Sequence, residues 1–364
     1  MTGVLGSPVK DDNANLDFLR SFAVLLVVGG HLSHFFGVDQ LGSLDLTPLG
    51  SLGVMYFFVH TSLVLMLSLE RQMKSQGDSR HLFVPFMIRR CFRIYPLSMT
   101  MVLAVVIFGL PMAELHRGTF SLWRADLGDI VANLFLVQNL SYRVSILGPL
   151  WSLCYEMEMY LFLPVLFVWA GVKRIWWSIP MMWIAAVALN RLVTFSTPNL
   201  LIYVPCFLPG IMAYLLQRKI RPRIPAWCWP VFVAAMTVAF CLSQRSFYRY
   251  YLTSLILGLA IAFFHPAEAR LWTVPNRVVA RYSYGIYLSQ FICIWLAFQR
   301  MAALPMVVKL AVFLIAMILA PVALYHTIEN RCAELGKKIA ANCRAEMNRA
   351  GNRTVGLASL ETST

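Results

Sequence analysis

The sequence predicts an all-α polytopic membrane protein of about ten transmembrane helices, with both termini in the cytoplasm. Three observations carry that expectation. Hydrophobic residues make up 59% of the chain and charged residues 13%, where a soluble domain carries about 25% charged. Apolar runs of the roughly 20 residues needed to cross a bilayer follow one another with little between them. Lys and Arg concentrate in alternate loops, as the positive-inside rule requires.

The apolar windows fall at 17–37, 49–69, 94–112, 148–170, 175–190, 199–217, 226–244, 248–265, 282–300 and 304–328. One set of loops holds Arg71, Lys74, Arg80, Arg89, Arg90 and Arg93, then Lys173 and Arg174, then Arg218, Lys219, Arg221 and Arg223, then Arg270, Arg277 and Arg281. The opposite set is poorer, with Arg117, Arg124, Arg143, Arg191, Arg245, Arg249, Arg300 and Lys309. Residues 1–15 form a polar segment without the order of a cleaved signal peptide, and are expected in the cytoplasm. Residues 16–330 make up the membrane domain. The basic tail, 331–364, is expected to be disordered. The longest external connection, 113–147, contains LGDIVANLFLVQNL, amphipathic enough to lie on the membrane surface as a plain helix or to dip in as part of a lid.

The net charge of +14 is spread over short loops, which suits topology rather than nucleic-acid binding. The eight cysteines are scattered, with no C-x-x-C pair. They suggest neither a disulfide framework nor a zinc site, and no other metal-ligand spacing appears.

Ionisable residues inside spans cost a few kcal/mol or more and are functional candidates by default. In LDFLRSFAVLLVVGGHLSHFFG, Arg20 and His31 are eleven residues apart. They therefore share a helical face, about 16 Å apart along the axis. Arg20 lies near enough to the cytoplasmic end to snorkel; His31 does not. The glycine pair at 29–30 leaves room beside His31 for another helix or a substrate, while His34 belongs at the interface. A neutral histidine bonded between helices is the plainer reading.

In LGPLWSLCYEMEMYLFLPVL, Glu156 and Glu158 point about 200° apart, whereas Ser152, Glu156 and Tyr160 step by four along one face. Counted from opposite ends, Glu156 and His31 reach similar depths. A carboxylate at that level orients a histidine general base, and a structural ion pair looks the same from sequence. The third feature is RRCFRIYPL. Arg90 and Arg93 share a helical face with Arg89 beside them, and Pro96 suits the first turn of the next span or a kink. Topology accepts any mixture of Lys and Arg there; an all-arginine cluster fits an oxyanion held by bidentate forks.

These stretches resemble the acyltransferase 3 family of membrane O-acyltransferases. The first matches its leucine-arginine pair with a histidine eleven residues on. FMIRRCFRIYPL resembles its R-x-x-R-I-Y-P element at Arg90, Arg93, Ile94, Tyr95 and Pro96. LGPLWSLCYEMEMYLFLP resembles W-S-L-x-x-E-x-x-x-Y at Trp151, Ser152, Leu153, Glu156 and Tyr160, and ARYSYGIYLSQF resembles a late S-Y-x-I-Y-L element. There are departures. Met157 replaces a second glutamate, Thr61-Ser62 stands where Ser-Gly is usual, Gln290 stands where a histidine is common, and Glu329 lacks a following proline.

The resemblance implies transfer of an acyl group, usually acetyl from acetyl-CoA, to a hydroxyl of an exported or lipid-linked glycan such as exopolysaccharide, O-antigen or lipo-oligosaccharide, at the inner cell membrane. It implies His31 and Glu156 as catalytic, Arg20, Arg90 and Arg93 as acyl-CoA-binding, and Ser152, Tyr160 and Tyr95 as supporting. Acyl-CoA is then a co-substrate, and no bound cofactor is expected. The alternative is a proton-coupled transporter using His31, Glu156 and Arg20 as a relay.

Overall fold

The computed structural model describes residues 13–76, 82–110, 115–116, 118–120, 124–173, 175–193, 199–267 and 270–361. Residues 1–12 of the N-terminal segment, and Arg80, Arg117 and Arg174 from the loop charges, lie outside them.

Asn13 opens helix α1 (Ala14–Phe35), its side chain accepting from the Asn15 amide as an N-cap should. A two-residue antiparallel hairpin, β1 (Gln40–Leu41) with β2 (Leu44–Asp45), leads into α2 (Leu49–Gln76). Helix α3 (Phe83–Phe108) stops at Gly109, which takes a left-handed φ of 59° that glycine adopts without strain. A second small hairpin, β3 (Leu115–His116) with β4 (Thr119–Phe120), precedes α4 (Leu127–Leu134). Helix α5 (Leu150–Leu166) continues as a π-helical stretch to Val172. There follow α6 (Ser178–Leu192), α7 (Leu200–Gln217), α8 (Cys228–Leu242) and α9 (Tyr248–Ala260). Helix α10 (Arg270–Ile294) runs through a π-helical turn to Arg300. Helix α11 (Met306–Leu324) passes through another, Tyr325–Glu329, into α12 (Asn330–Glu361).

Each apolar window of the sequence is occupied by a helix. Among the described residues, six helical stretches are long and apolar enough to cross a membrane: those beginning at Ala14, Leu49, Phe83, Leu150, Leu200 and Met306. Helices α6, α8 and α9 are apolar but shorter. On α11, Leu310, Leu314 and Ile318 recur every four residues and are all exposed, a stripe suited to lipid rather than water. The chain is a multi-pass, all-α membrane protein.

Helix α2 is the most deeply buried and packs against α1, α5, α7 and α9. Its junction with α1 is made by small residues. A Cβ on Gly30 would lie 2.4 Å from the Gly50 amide nitrogen, and one on Gly53 would lie 2.5 Å from the Ala23 carbonyl oxygen. In lipid, where no hydrophobic force separates helix from solvent, such close backbone approach is a main source of association.

Two expectations need correction. First, α3 begins at Phe83, not near 94, so Arg89, Arg90 and Arg93 sit within a helix, about 9–15 Å from its start. Pro96 lies inside that helix rather than in its first turn. Second, the tail is helical to Glu361 rather than disordered. Helix α12 packs along α3, with Ala340 buried and Gly336 close against Phe92, and that packing offsets a composition too polar to fold alone. Helix α4 spans eight residues and turns its polar side inward. Asn133 is fully buried, donates to the Val144 carbonyl and accepts from the Ile146 amide, while Leu127, Val131 and Phe135 face outward. An apolar outward face fits the plain surface-helix reading.

Candidate functional site

The arginines of α1 and α3, the carboxylate of α5 and the start of α10's aromatic run converge on one cavity of about 110 Å³. Its walls include Arg20, His60, Thr61, Arg90, Arg93, Ser152, Glu156, Tyr160, Ser283, Tyr284 and Tyr287. Pockets that enclose a drug-sized ligand run to about 300–1,000 Å³. A narrow chain or a single acyl group fits here.

Each charge in this layer has an identifiable counterpart, and for Arg90 that counterpart is the carboxylate of Glu156. Arg20 Nε donates to Ser283 Oγ at 2.6 Å, and Ser283 donates onward to the Ala280 carbonyl. Arg93 Nη2 lies 2.9 Å from Glu329 Oε1, an ion pair whose angle is not that of a hydrogen bond. Glu329 is only 1% exposed, so it depends on that cation. Tyr160 donates to Glu156 Oε1 from one turn further along α5, as their i, i+4 spacing on a shared face allows. Arg90 is different. Its guanidinium stands 5.9 Å from the Phe86 ring centroid, and its Nε is buried with no hydrogen-bond partner. A buried, unsatisfied donor on a cation costs more than a neutral one, so an anion entering the cavity has a group waiting for it.

A second layer lies further along α1. His31 Nδ1 is 3.1 Å from Gln290 Oε1, and the imidazole meets the edge of Phe291 at 4.6 Å between centroids. Its Nε2 looks toward the start of α2, where a Cβ on Gly50 would lie 3.6 Å away. The glycine pair divides its roles. Gly30 receives α2, whereas a Cβ on Gly29 would meet nothing within 4 Å. Between the layers, Ser152 Oγ and Tyr287 Oη are 2.7 Å apart, and Tyr287 donates to the Pro149 carbonyl.

The structure thus brings Arg20, Arg90, Arg93, Ser152, Glu156 and Tyr160 to one cavity. His31 and Tyr95 are not among its lining residues. Tyr95 instead donates to the Phe135 carbonyl and ties α3 to the end of α4. The expected pairing of Glu156 with His31 is not what holds either residue: His31 is held by Gln290, and Glu156 by Tyr160. The reason is helix adjacency. Helix α1 packs against α2 and α10, whereas α5 packs against α2, α3 and α7. Equal depth does not make two side chains neighbours. Glu158, the displaced second carboxylate, accepts from Asn139 at 2.5 Å, away from the cavity.

Sequence reasoning passed over His60. It is 5% exposed and lines the cavity, and the rule that singles out His31, an ionisable group inside an apolar span, applies to it equally. Ser283 and Tyr284 lay within a quoted motif but carried no assigned role. Tyr284 now proves to donate to the Ile94 carbonyl, fastening α10 to the arginine helix.

Comparison with curated proteins and with solved structures returned no match. The acyltransferase-domain family, the one whose motifs the sequence resembles, matches residues 13–326. That range takes in α1 with Arg20 and His31, the arginine helix α3, the Glu156 helix α5 and Gln290 of α10, and the chain belongs to that family of membrane acyltransferases.

Proposed function

We propose that the protein moves an acyl group, acetyl in the first instance, from acyl-CoA to a hydroxyl of an exported or lipid-linked glycan. The observation that carries this reading is the cavity's arrangement: three arginines, one with an unsatisfied buried donor, at one level, and a histidine about 16 Å further along the same helix. A long thin arm bridges such a gap; a compact ligand does not. In this reading Arg90 and its neighbours receive a phosphate or the polar arm of the donor. Arg20 and Arg93 already hold Ser283 and Glu329, so the unsatisfied Nε donor of Arg90 supplies the new hydrogen bond.

In this reading the acceptor oxygen attacks the thioester carbonyl carbon. A carbon–oxygen bond forms, the carbon–sulfur bond breaks, and the hydroxyl proton passes to His31 Nε2 and from there to the departing thiolate. Glu156 and Tyr160 keep the arginine layer in register. Further parts of the proposal are ten spans, cytoplasmic termini and residence in the inner cell membrane. The charge bias of the loops supports them.

The test is direct. Membranes carrying the protein are incubated with radiolabelled acetyl-CoA, and label is followed into the glycolipid and polysaccharide fractions. Covalent label is expected. Export of substrate without covalent label would favour the transporter reading. Topology is tested separately: reporter fusions at residue 45 should read external and at residue 221 cytoplasmic, and an external reading at 221 removes the ten-span arrangement.

A further inference from the structure

The partner of His31 is itself held in one orientation. Gln290 is completely buried. Its Nε2 donates to the Tyr287 carbonyl at 3.0 Å, and rotating the amide by half a turn would set two carbonyl oxygens against each other. Oε1 therefore faces the imidazole. An amide oxygen only accepts, so the ring nitrogen opposite it, Nδ1 at 3.1 Å, carries the proton. The neutral ring then has its lone pair on Nε2, the nitrogen that looks toward Gly50.

The surroundings keep the ring from leaving this pose. Phe291, the next residue along, meets it edge-on at an interplanar angle of 81°. Phe291 is fixed in turn by Gly148, where a Cβ would come within 2.2 Å of the phenyl ring. Gly30, one residue before His31, is pressed on the α2 backbone.

We propose that Gln290 is the positioning residue of the reaction: it selects the Nδ1-protonated tautomer of His31 and so leaves Nε2 as the acceptor of the hydroxyl proton. This deepens the acyl-transfer reading and rests on it. A carboxylate at this position would also select the tautomer, but would add a buried charge far from the arginines that neutralise Glu156 and Glu329. A neutral amide orients the ring without that desolvation cost.

The test uses the full chain in detergent or membranes. Gln290→Met keeps length and bulk but loses the acceptor; Gln290→Glu keeps an acceptor oxygen. For Gln290→Met, kcat is expected to fall roughly 10-fold or more, because the tautomer with its lone pair on Nε2 is no longer selected, with KM for acetyl-CoA unchanged. Gln290→Glu should recover most of that turnover. Independently, the protein labelled with ¹⁵N-histidine should show His31, identified by the signal lost in His31→Gln, as the Nδ1-protonated tautomer in the wild type. It should show a mixture of tautomers in Gln290→Met.

Wild-type kcat in Gln290→Met, or an Nε2-protonated His31 in the wild type, overturns the inference. If His31→Gln acylates normally, the base assignment fails instead, and the tautomer signal still decides the Gln290 contact. Should Gln290→Met fail to fold, the wild-type spectrum alone decides.

Discussion

The arginine layer and the histidine layer share helices α1 and α10 yet are built by opposite rules. Around the cavity, the buried Glu329 and the partly buried Arg20, Arg93 and Glu156 are held by counter-charges and hydroxyls. Around His31, every named contact is neutral: an amide, a phenyl ring and glycine backbone. The first layer suits binding, because an oxyanion entering it meets charge that folding has already desolvated. The second suits proton transfer, because a base must be neutral before it can accept. Charges placed beside His31 would couple its protonation to the occupancy of the donor site. Separating the layers by about three helical turns removes that coupling.

The comparison breaks most visibly at His31. His31→Ala should lower turnover by about 10²–10⁴-fold, the usual contribution of a general base, while acyl-CoA affinity stays near wild type by equilibrium binding. His31→Gln should not rescue, since an amide cannot take the proton at neutral pH. His34→Ala, one turn on and exposed to Asp39 rather than Gln290, should be far milder. An active His31→Gln would erase the distinction between the layers.

The next largest effect is on stability. Arg93→Ala leaves Glu329 buried without its cation, and breaking a buried pair in this way costs about 3–5 kcal/mol. Thermal unfolding of the purified protein should show the loss, and adding Glu329→Ala should recover most of it. If the double variant is no more stable than Arg93→Ala, the pair is not what secures the π-helical turn to α3.

Arg90 separates binding from stability. With no hydrogen-bond partner at its buried Nε, Arg90→Lys should fold normally yet raise KM for acyl-CoA roughly 10-fold through loss of the bidentate fork. Wild-type KM in that variant would assign the cluster to topology. The smallest effect belongs to the joint between layers. Ser152→Ala removes one neutral hydrogen bond to Tyr287, about 1 kcal/mol, and should lower turnover by less than about 10-fold.

What could be read from the residues alone was whatever a single helix fixes by its own repeat. The positions of the helices followed from apolar run length. The shared face of Ser152, Glu156 and Tyr160, and that of Arg90 and Arg93, followed from 3.6 residues per turn, and in the fold all five reach the cavity. The start of α3 was not legible, because its first turns carry three arginines that interrupt the apolar run. The helical tail was not legible either, because its support comes from Phe92 and its neighbours on α3.

Only the tertiary structure decided the partners. Arg20 meets Ser283 across 263 residues of chain, His31 meets Gln290 across 259, and Arg93 meets Glu329. Which helices touch, and how each is rotated, depends on close approaches such as Gly30 on Gly50, summed over the whole bundle. A helix fixes the depth and face of its own side chains, but not which neighbour that face will meet. That is why matched depth suggested Glu156 for His31, while packing of α1 against α10 supplied Gln290.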